Sequence, residues 1–600
     1  MNRKQLGLLT LLLLSSLLIS AKGYKYKEVN GIRTFQEGSM FVKEGVPFLT
    51  VKGDSYEMGL QYGVLMNDQI MEMQVKVDSI VESYVGKFFL KKWIANMVLK
   101  SKIRKIEERM PQAFIEELEG MAEGCDLNVR EIKTIAYFPQ IFFKISCTSF
   151  VMKNEDGIVH GRNLDWPGIE TFTKFPLIVN YHRKDKIPTT ILSFVCYPAA
   201  YTGMNHNGLS MSINMNGAPI PEGKEESDYV TGMPMPYQLR YVMENADELS
   251  EVDEMFEDYS THGWFITVGS DKDRSGAMYE LTRGQSIKNT MQNNYVGVTN
   301  LSVSEKGRYE YSPINMHGES NITREDKLKE LFQDISNKNL VDKAYQMVSS
   351  TAYYELPNDL YYGCGINNDI TVKSCIMDNT EKKIYFAYGE MLAGCNQFLS
   401  YDLNNQEVEV FKEKQKVPDQ DYMDGRIAYR KWLRVILGKK KNLEKEEYQT
   451  IVEQIDRFNL HPAYRSNQLA FSYTNLENKE KAYEYANNYI AELPTFGASY
   501  YGKFSICKRF KEYDKAIECL QNMLAKAHNT PADVFYAKCD ILKCYDKLQS
   551  QSPKPENIQI MKKLNQEIKD ICKPYYTATW IQTRLEKMDE IVAKYDKVLN

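Results

Sequence analysis

The spacing of apolar residues divides this chain into stretches of different period. A predominantly apolar run over 6–19 comes first. Residues 48–53 predict a short strand, and Ser55-Tyr56-Glu57-Met58-Gly59-Leu60 opens a helical pattern that continues to about Tyr84. A further helix is predicted from Met110-Pro111 through Met121-Ala122-Glu123-Gly124, so 22–146 reads as a mainly helical segment. Over 147–402 the pattern is strand-rich, with apolar, β-prone runs at 176–181, 190–196, 208–214, 264–268, 277–281, 295–298 and 383–387. Helices are predicted within it at 236–244 and 324–333. Residues 403–424, polar and carrying Pro418, read as a linker, and 425–600 is helical to its end. Periodicity alone therefore gives an α+β fold followed by an all-α region.

Six hundred residues exceed one ordinary domain. Hydrophobic content of 43% and charged content of 26% are those of a globular protein, and a net charge of −5 suggests no nucleic-acid partner. Arg3 and Lys4 before the first apolar run, with Ala21 after it, predict a secretory signal over 1–21. The protein is expected to be exported, periplasmic or secreted if bacterial. No Cys precedes Cys125, which excludes lipid attachment at a Cys following the signal. The eleven cysteines show no disulfide framework and the seven histidines no metal motif, so neither metal nor cofactor is expected. Within 84–106, Phe89, Trp93 and Met97 share one helical face among lysines. Such a helix can lie on an anionic membrane. The simpler reading, which we prefer, is a helix packed on its own domain with solvated lysines.

Candidate chemistry concentrates in one predicted hairpin. Cys147-Thr148-Ser149-Phe150 and Gly161-Arg162-Asn163-Leu164-Asp165-Trp166 flank the polar Asn154-Glu155-Asp156-Gly157, whose turn pairs Cys147 with a residue at about 164–166. A thiol, a fixed cation and a carboxylate are thereby brought together, as a nucleophilic site requires. Strict alternation puts Arg162 and Asp165 on opposite faces, so a bulge or the hairpin's end is needed to bring both to the thiol.

These residues resemble the N-terminal-nucleophile cysteine hydrolases, a family that includes acid ceramidase, N-acylethanolamine acid amidase, choloylglycine hydrolase and isopenicillin N acyltransferase. The opening Gly53-x-x-Tyr56-Glu57-x-Gly59-x-x-Tyr62-Gly63 is similar to the same family. The resemblance covers about 46–400 and implies a four-layer αββα sandwich. It also implies that Cys147 heads a new chain once the Ser146–Cys147 bond breaks, with 22–146 as the smaller chain. An N-terminal Cys carries its own base, because an α-amine at about 7.7–8.0 can take the proton of a thiol at about 8.5. His160 is the alternative base in a Cys–His reading. The expected route is an N-to-S acyl shift, in which the thiol attacks the Ser146 carbonyl and water cleaves the thioester.

Roles follow from the same resemblance. Asp165 is expected to hold the new amine, and Arg162 to position substrate and favour the thiolate. Gly203-Met204-Asn205-x-x-Gly208-Leu209 resembles a family segment ending in an oxyanion-binding Asn, which makes Asn214 the candidate and Asn216 its alternative. Asn205 and Asn207 are read as turn formers. Val298-Thr299-Asn300 resembles a second Asn-bearing segment. Ser320-Asn321-Ile322-Thr323-Arg324 matches a helix opening less completely, so Arg324 ranks below Asn300, with Arg308 as a substitute. Otherwise Ser320 or Thr323 is an N-cap and Arg324 a surface charge.

The helical region lies outside that resemblance. Ala470, Tyr473, Ala482 and Pro494, with Ala516 placed 34 residues after Ala482, resemble the tetratricopeptide repeat. Such a domain would contact a protein partner or a second copy. The leading expectation is thus an exported, self-processing amidase that hydrolyses a linear non-peptide N-acyl amide: an acylated amino acid or amine, a lipid amide, or a bile-salt-like conjugate. One alternative is an acyltransferase using the same thioester. The other is an inactive fold in which the helices bind a partner.

Overall fold

The computed structural model describes residues 23–85, 89–142, 146–166, 175–215, 232–257, 263–282, 285–304, 318–335, 339–352, 364–389, 392–415, 421–426, 428, 444–529, 531–572 and 579–595. The predicted signal over 1–21, Asn216 and Arg308 lie outside these, as do the side chains of Phe89 and Trp93. Contacts divide the chain into two compact units, Met1–Phe143 with Phe175–Ala200, and Lys144–Lys174 with Tyr201–Asn600.

The first unit opens with strands β1 (Lys27–Val29), β2 (Ile32–Phe35), β3 (Gly38–Lys43) and β4 (Val46–Gly53), each antiparallel to the next. Helices α1 (Ser55–Leu65), α2 (Asn67–Val85), α3 (Phe89–Glu107), α4 (Gln112–Gly124) and α5 (Val129–Phe142) follow. The mainly helical segment expected over 22–146 is therefore corrected: it begins as a strand meander. Its first strands are too short to show alternation, and their turns at Asn30-Gly31 and Glu44-Gly45 take left-handed backbone angles. The expected single helix to Tyr84 breaks at Met66. α3 buries Leu99, Ile103 and Ile106 and exposes Met97. After a hairpin of β5 (Ser146–Lys153) and β6 (Ile158–Asp165) that belongs to the second unit, β7 (Pro176–Arg183) pairs in parallel with β4 and antiparallel with β8 (Thr189–Phe194).

In the second unit, β9 (Thr202–Asn205) and β10 (Leu209–Met215) precede α6 (Met235–Asn245) and α7 (Leu249–Glu257). Strands β11 (Trp264–Ser270), β12 (Ser275–Thr282) and β13 (Gln285–Thr290) continue an antiparallel sheet from β9 and β10. Then come β14 (Tyr295–Val298), α8 (Gly318–Leu331), α9 (Leu340–Val348), β15 (Thr371–Asp378), β16 (Lys383–Tyr388), β17 (Phe398–Asp402) and β18 (Val408–Lys412). A seven-stranded antiparallel sheet runs β14-β5-β6-β15-β16-β17-β18. β18 corrects the linker expected over 403–424: a tight turn after Asp402 returns the chain into the sheet, and the alternating Val408-Glu409-Val410 pairs with β17.

The two sheets of this unit meet through Val151, Ile158, Phe265, Met278, Val296 and Val298. The far face of the seven-stranded sheet packs Phe150, Met152, Val159 and Ile376 against Leu328, Phe332, Ala344 and Met347 of the helical layer formed by α8, α9 and the turn after α8. On the other sheet's outer side, Asn205 Nδ2 bonds the carbonyls of Met243 and Ala246 at the end of α6, and Phe256 of α7 meets Tyr279. The layers are helix, sheet, sheet, helix.

Helices α10 (Lys445–Gln454), α11 (Pro462–Asn475), α12 (Lys479–Glu492), α13 (Gly497–Arg509), α14 (Tyr513–Lys526), α15 (Pro531–Gln551), α16 (Pro555–Cys572) and α17 (Thr579–Ala593) complete the described chain. α12 and α14 have equal length and start 34 residues apart, with Ala482 and Ala516 buried at the same position in each. No described helix is long and apolar enough to cross a membrane.

Candidate active site

The hairpin forms in the expected register. Asn154 Oδ1 accepts from the N–H groups of Asp156 and Gly157, closing the turn, and Cys147 pairs with Leu164. Cross-strand partners share a face, so Cys147, Ser149, Arg162 and Leu164 point one way, and Thr148, Asn163 and Asp165 the other. Arg162, fully buried, donates from Nη2 to Cys147 Sγ at 3.2 Å and to the Ile213 carbonyl at 2.9 Å. Burial pushes the Cys147 thiol up and the Arg162 cation pulls it down; the Asp165 carboxylate adds to the rise, while a hydrogen bond from the Asp165 backbone N–H and the Arg324 cation oppose it. Asp165 reaches the nucleophile through its main chain.

Its carboxylate lies on the opposite face and is fully enclosed. Oδ1 accepts from Thr371 Oγ1 at 2.7 Å, Oδ2 from Asn368 Nδ2 at 3.1 Å, and Arg324 Nη1 stands 3.6 Å from Oδ2. Burial raises its pKa to about 6 against the opposing pull of Arg324, Thr371 and Asn368. No bulge carries Arg162 and Asp165 to one face; the irregularity of register falls in β15, between Thr371 and Lys373.

Arg324 sits on the Asp165 face. Nη1 donates to the Cys147 carbonyl at 2.6 Å and to Thr148 Oγ1 at 2.7 Å. Nη2 donates to Asn321 Oδ1 at 2.6 Å, Asn300 Oδ1 at 3.3 Å and Ser146 Oγ at 3.4 Å. The side chain is 1% exposed, which corrects the surface-charge reading and raises Arg324 above its sequence rank. α8 starts at Gly318, so Ser320 and Thr323 lie inside the helix rather than at its cap.

Asn300 holds both sides of the bond expected to break. Its Oδ1 accepts from the Cys147 N–H at 2.8 Å and from Ser146 Oγ at 2.7 Å, and its Nδ2 donates to the Met215 carbonyl. Asn214 behaves differently from expectation. Its Nδ2 donates to the carbonyls of Val298 and Thr299, so both amide hydrogens hold the strand end that presents Asn300, and its Oδ1 is buried with no hydrogen-bond partner among the described residues. This arrangement does not present the oxyanion donor expected of Asn214. His160 is bracketed by Ser210 and Ser212 at 2.9 and 2.8 Å, and burial lowers it to about 3. Neither ring nitrogen is bonded to Cys147, and a neutral imidazole tied to two hydroxyls is a structural group. Asn205 Oδ1 closes its turn by accepting from the N–H groups of Asn207 and Leu209.

The sequence reading missed β15 and the loop before it, and with them Thr371, Asn368 and Lys373. Lys373 is buried opposite Leu164, in the row that begins at Cys147, and burial together with the Arg162 charge lowers it to about 7. A lysine outside any predicted element reads as surface, which hid it.

The family described as acyl-coenzyme A:6-aminopenicillanic acid acyl-transferase matches residues 152–390. Residues 152–390 are thus similar to that acyltransferase family, and parts of the chain to N-acylethanolamine-hydrolyzing acid amidases. The matched span contains Arg162, Asp165, Asn214, Asn300 and Arg324 and begins just after Cys147. N-acylethanolamine-hydrolyzing acid amidase of Rattus norvegicus is 31% identical over 123 residues, 20% of this chain and 33% of that one. The Caenorhabditis elegans protein of the same name is 29% identical over 192 residues, 30% of this chain and 54% of that one. The chain thus spans a third to about half of the length of these two relatives. A solved structure of a Caenorhabditis elegans N-acylethanolamine-hydrolyzing acid amidase ortholog aligns over 39% of this chain and 93% of that chain, with 23% identity and a TM-score of 0.30.

Proposed function

We propose that this protein is an exported cysteine amidase that activates itself by breaking the Ser146–Cys147 bond and then hydrolyses linear N-acyl amides. The observation that carries the proposal is the division of bonds at Cys147. Its thiol is held by Arg162, its nitrogen by Asn300, and its carbonyl by Arg324. Cleavage would free that nitrogen as an amine within the same residue as the thiol.

In the first stage Cys147 Sγ attacks the Ser146 carbonyl carbon, the Cys147 nitrogen takes the thiol proton and leaves, and water hydrolyses the thioester to a Ser146 carboxylate. In turnover the new α-amine accepts the thiol proton and the thiolate attacks the substrate's carbonyl. The ammonium returns the proton to the departing amine, and water resolves the acyl-Cys147 thioester. His160, with both ring nitrogens bonded to Ser210 and Ser212, is assigned no part as base. The cation of Arg324 balances the Asp165 carboxylate when a second positive charge appears at Cys147.

The relatives' names support an acyl amide of an amine or amino acid, a lipid amide included. The matched family's name supports a second reading, transfer of the acyl group to an amine acceptor. Purified protein would be incubated with a panel of N-acyl amides, with and without added amine, and released amine and new amide measured. Amine release without acceptor supports hydrolysis; product only with acceptor supports transfer; neither from a cut protein counts against both.

The helices from 444 onward support a tetratricopeptide-like domain that meets a partner. A cavity of ≈ 650 Å³ there is lined by Tyr448, Phe471, Tyr489, Lys503 and Arg509, among others.

A further inference from the structure

The helical region is tied into the active site through one peptide unit. Asn368 and Asp369 lie in the loop that leads into β15. Asn368 Nδ2 donates to Asp165 Oδ2 at 3.1 Å and to the Gly365 carbonyl at 3.2 Å. Its backbone N–H donates to Thr371 Oγ1 at 2.9 Å, and that hydroxyl donates to Asp165 Oδ1. Asn368 Oδ1 accepts the Ile370 N–H, so the side chain is held at both ends. The next residue faces elsewhere. Asp369 forms a close ion pair with Arg426, and Tyr464 Oη of α11 stands 3.5 Å from Oδ2. The Arg426 guanidinium lies over the Tyr464 ring, 3.5 Å from its centre. Arg426 and Tyr464 are buried, and Asp369 is 6% exposed. Four residues before Asn368, Cys364 packs into the core of the helices with Ile455, Leu460, Ala463, Tyr464 and Leu469. The loop is anchored on the hydrolase side too, where Asn163 Nδ2 of β6 donates to the Ile366 carbonyl at 2.8 Å.

We infer that Asp369, Arg426 and Tyr464 are positioning residues for Asp165, so that the helical region completes the catalytic centre rather than merely adjoining it. A buried ion pair whose partners come from two sides specifies geometry more than it adds stability. Here the specified geometry is the direction of the Asn368 amide, and through it the orientation and charge of the Asp165 carboxylate. The inference rests on the proposed role of Asp165.

The test uses the full chain with Asp369→Asn, Asn368→Ala, the two combined, Tyr464→Phe, and Asp165→Asn as reference. Far-ultraviolet circular dichroism and melting confirm folding, and appearance of a chain beginning at Cys147 is timed across pH. Asp369→Asn is expected to slow cutting about tenfold, the loss that accompanies one misdirected charge-assisted hydrogen bond. It is also expected to move the acid limb of the pH profile upward, because the Asn368 bond holds the Asp165 carboxyl down. The double variant should be no slower than Asn368→Ala alone, since both act through one bond. A destabilised but correctly positioned protein would keep the wild-type limb, so the limb separates positioning from general stability. Should Asp369→Asn fail to fold, Tyr464→Phe, which loses only a hydroxyl, must show the same upward shift, in smaller degree. If Asp165→Asn stops cutting while the folded Asp369 and Tyr464 variants keep wild-type rate and limb, the inference is wrong. If Asp165→Asn itself cuts normally, the proposed role of Asp165 is wrong instead.

Discussion

Arg324 bonds the Cys147 carbonyl, Thr148, Asn321, Asn300 and Ser146 from one buried guanidinium. A lysine keeps the charge but has no planar fork, so Arg324→Lys is expected to cost about 1.5–3 kcal/mol of stability and to slow self-cleavage. Denaturant unfolding and the cutting rate measure the two effects. Titration gives a second expectation. Burial raises Asp165 from 3.8 to about 6, so its ionised form prevails only above that pH and self-cleavage should fall below it. Hydrolysis needs in addition an unprotonated α-amine at Cys147 to act as base, so its acid limb should lie at higher pH than that for cutting. Rates of the two processes measured over the same pH series check this order. His160 makes the opposite contribution to stability. Its folded value near 3 lies below the ordinary 6.5, so the unfolded chain binds the extra proton and stability falls as pH drops below about 6.5. Asp165, raised on folding, takes up a proton between about 4 and 6 and adds stability as pH falls there. His160→Gln should therefore reduce acid destabilisation while leaving the pH dependence of turnover unchanged. A shifted turnover profile would favour the Cys–His reading. Cys147, Arg162 and Asp165 were legible because their types and spacing are unusual together. The weight carried by Arg324 was not, since one arginine in a helix opening has the same letters whether buried or exposed.

Two kinds of element fix the frame. Between α1 and α4 the helices touch backbone to backbone: a Cβ on Gly59 would stand 2.0 Å from the Glu117 carbonyl oxygen, and one on Gly120 would stand 2.2 Å from that of Tyr56. This explains the glycine spacing of the Tyr56–Gly63 segment as packing. Gly120→Ala is expected to cost about 1–3 kcal/mol, read as a lower denaturant midpoint, because neither backbone can yield without shifting a helix. The hairpin of β5 and β6 was legible from its polar turn between apolar runs. β15 was not. Its lysine, serine and asparagine neighbours break the apolar run, and the strand is defined by pairing with β6 and β16, contacts remote in sequence. β18 was lost in the same way inside a stretch read as linker. Thr371, which bonds Asp165, disappeared with β15.

At the scale of the molecule, the α+β layers and the helical region were both visible as changes of period. The equal lengths and 34-residue offset of α12 and α14 match the spacing of Ala482 and Ala516. The regularity stops at α15, which runs for 21 residues against 13 in α13. What sequence period cannot express is that Arg426 and Tyr464 meet Asp369 beside the active-site loop. The central claim joins all three scales: a thiol in a hairpin becomes a catalyst when the chain preceding it is cut away. Intact mass and N-terminal sequencing of purified protein test it most directly, with Cys147→Ala in parallel. The account predicts two chains, the second beginning at Cys147, and a single uncut chain for the variant. A wild-type protein that hydrolyses N-acyl amides while remaining one uncut chain, or that is cut elsewhere, would contradict it.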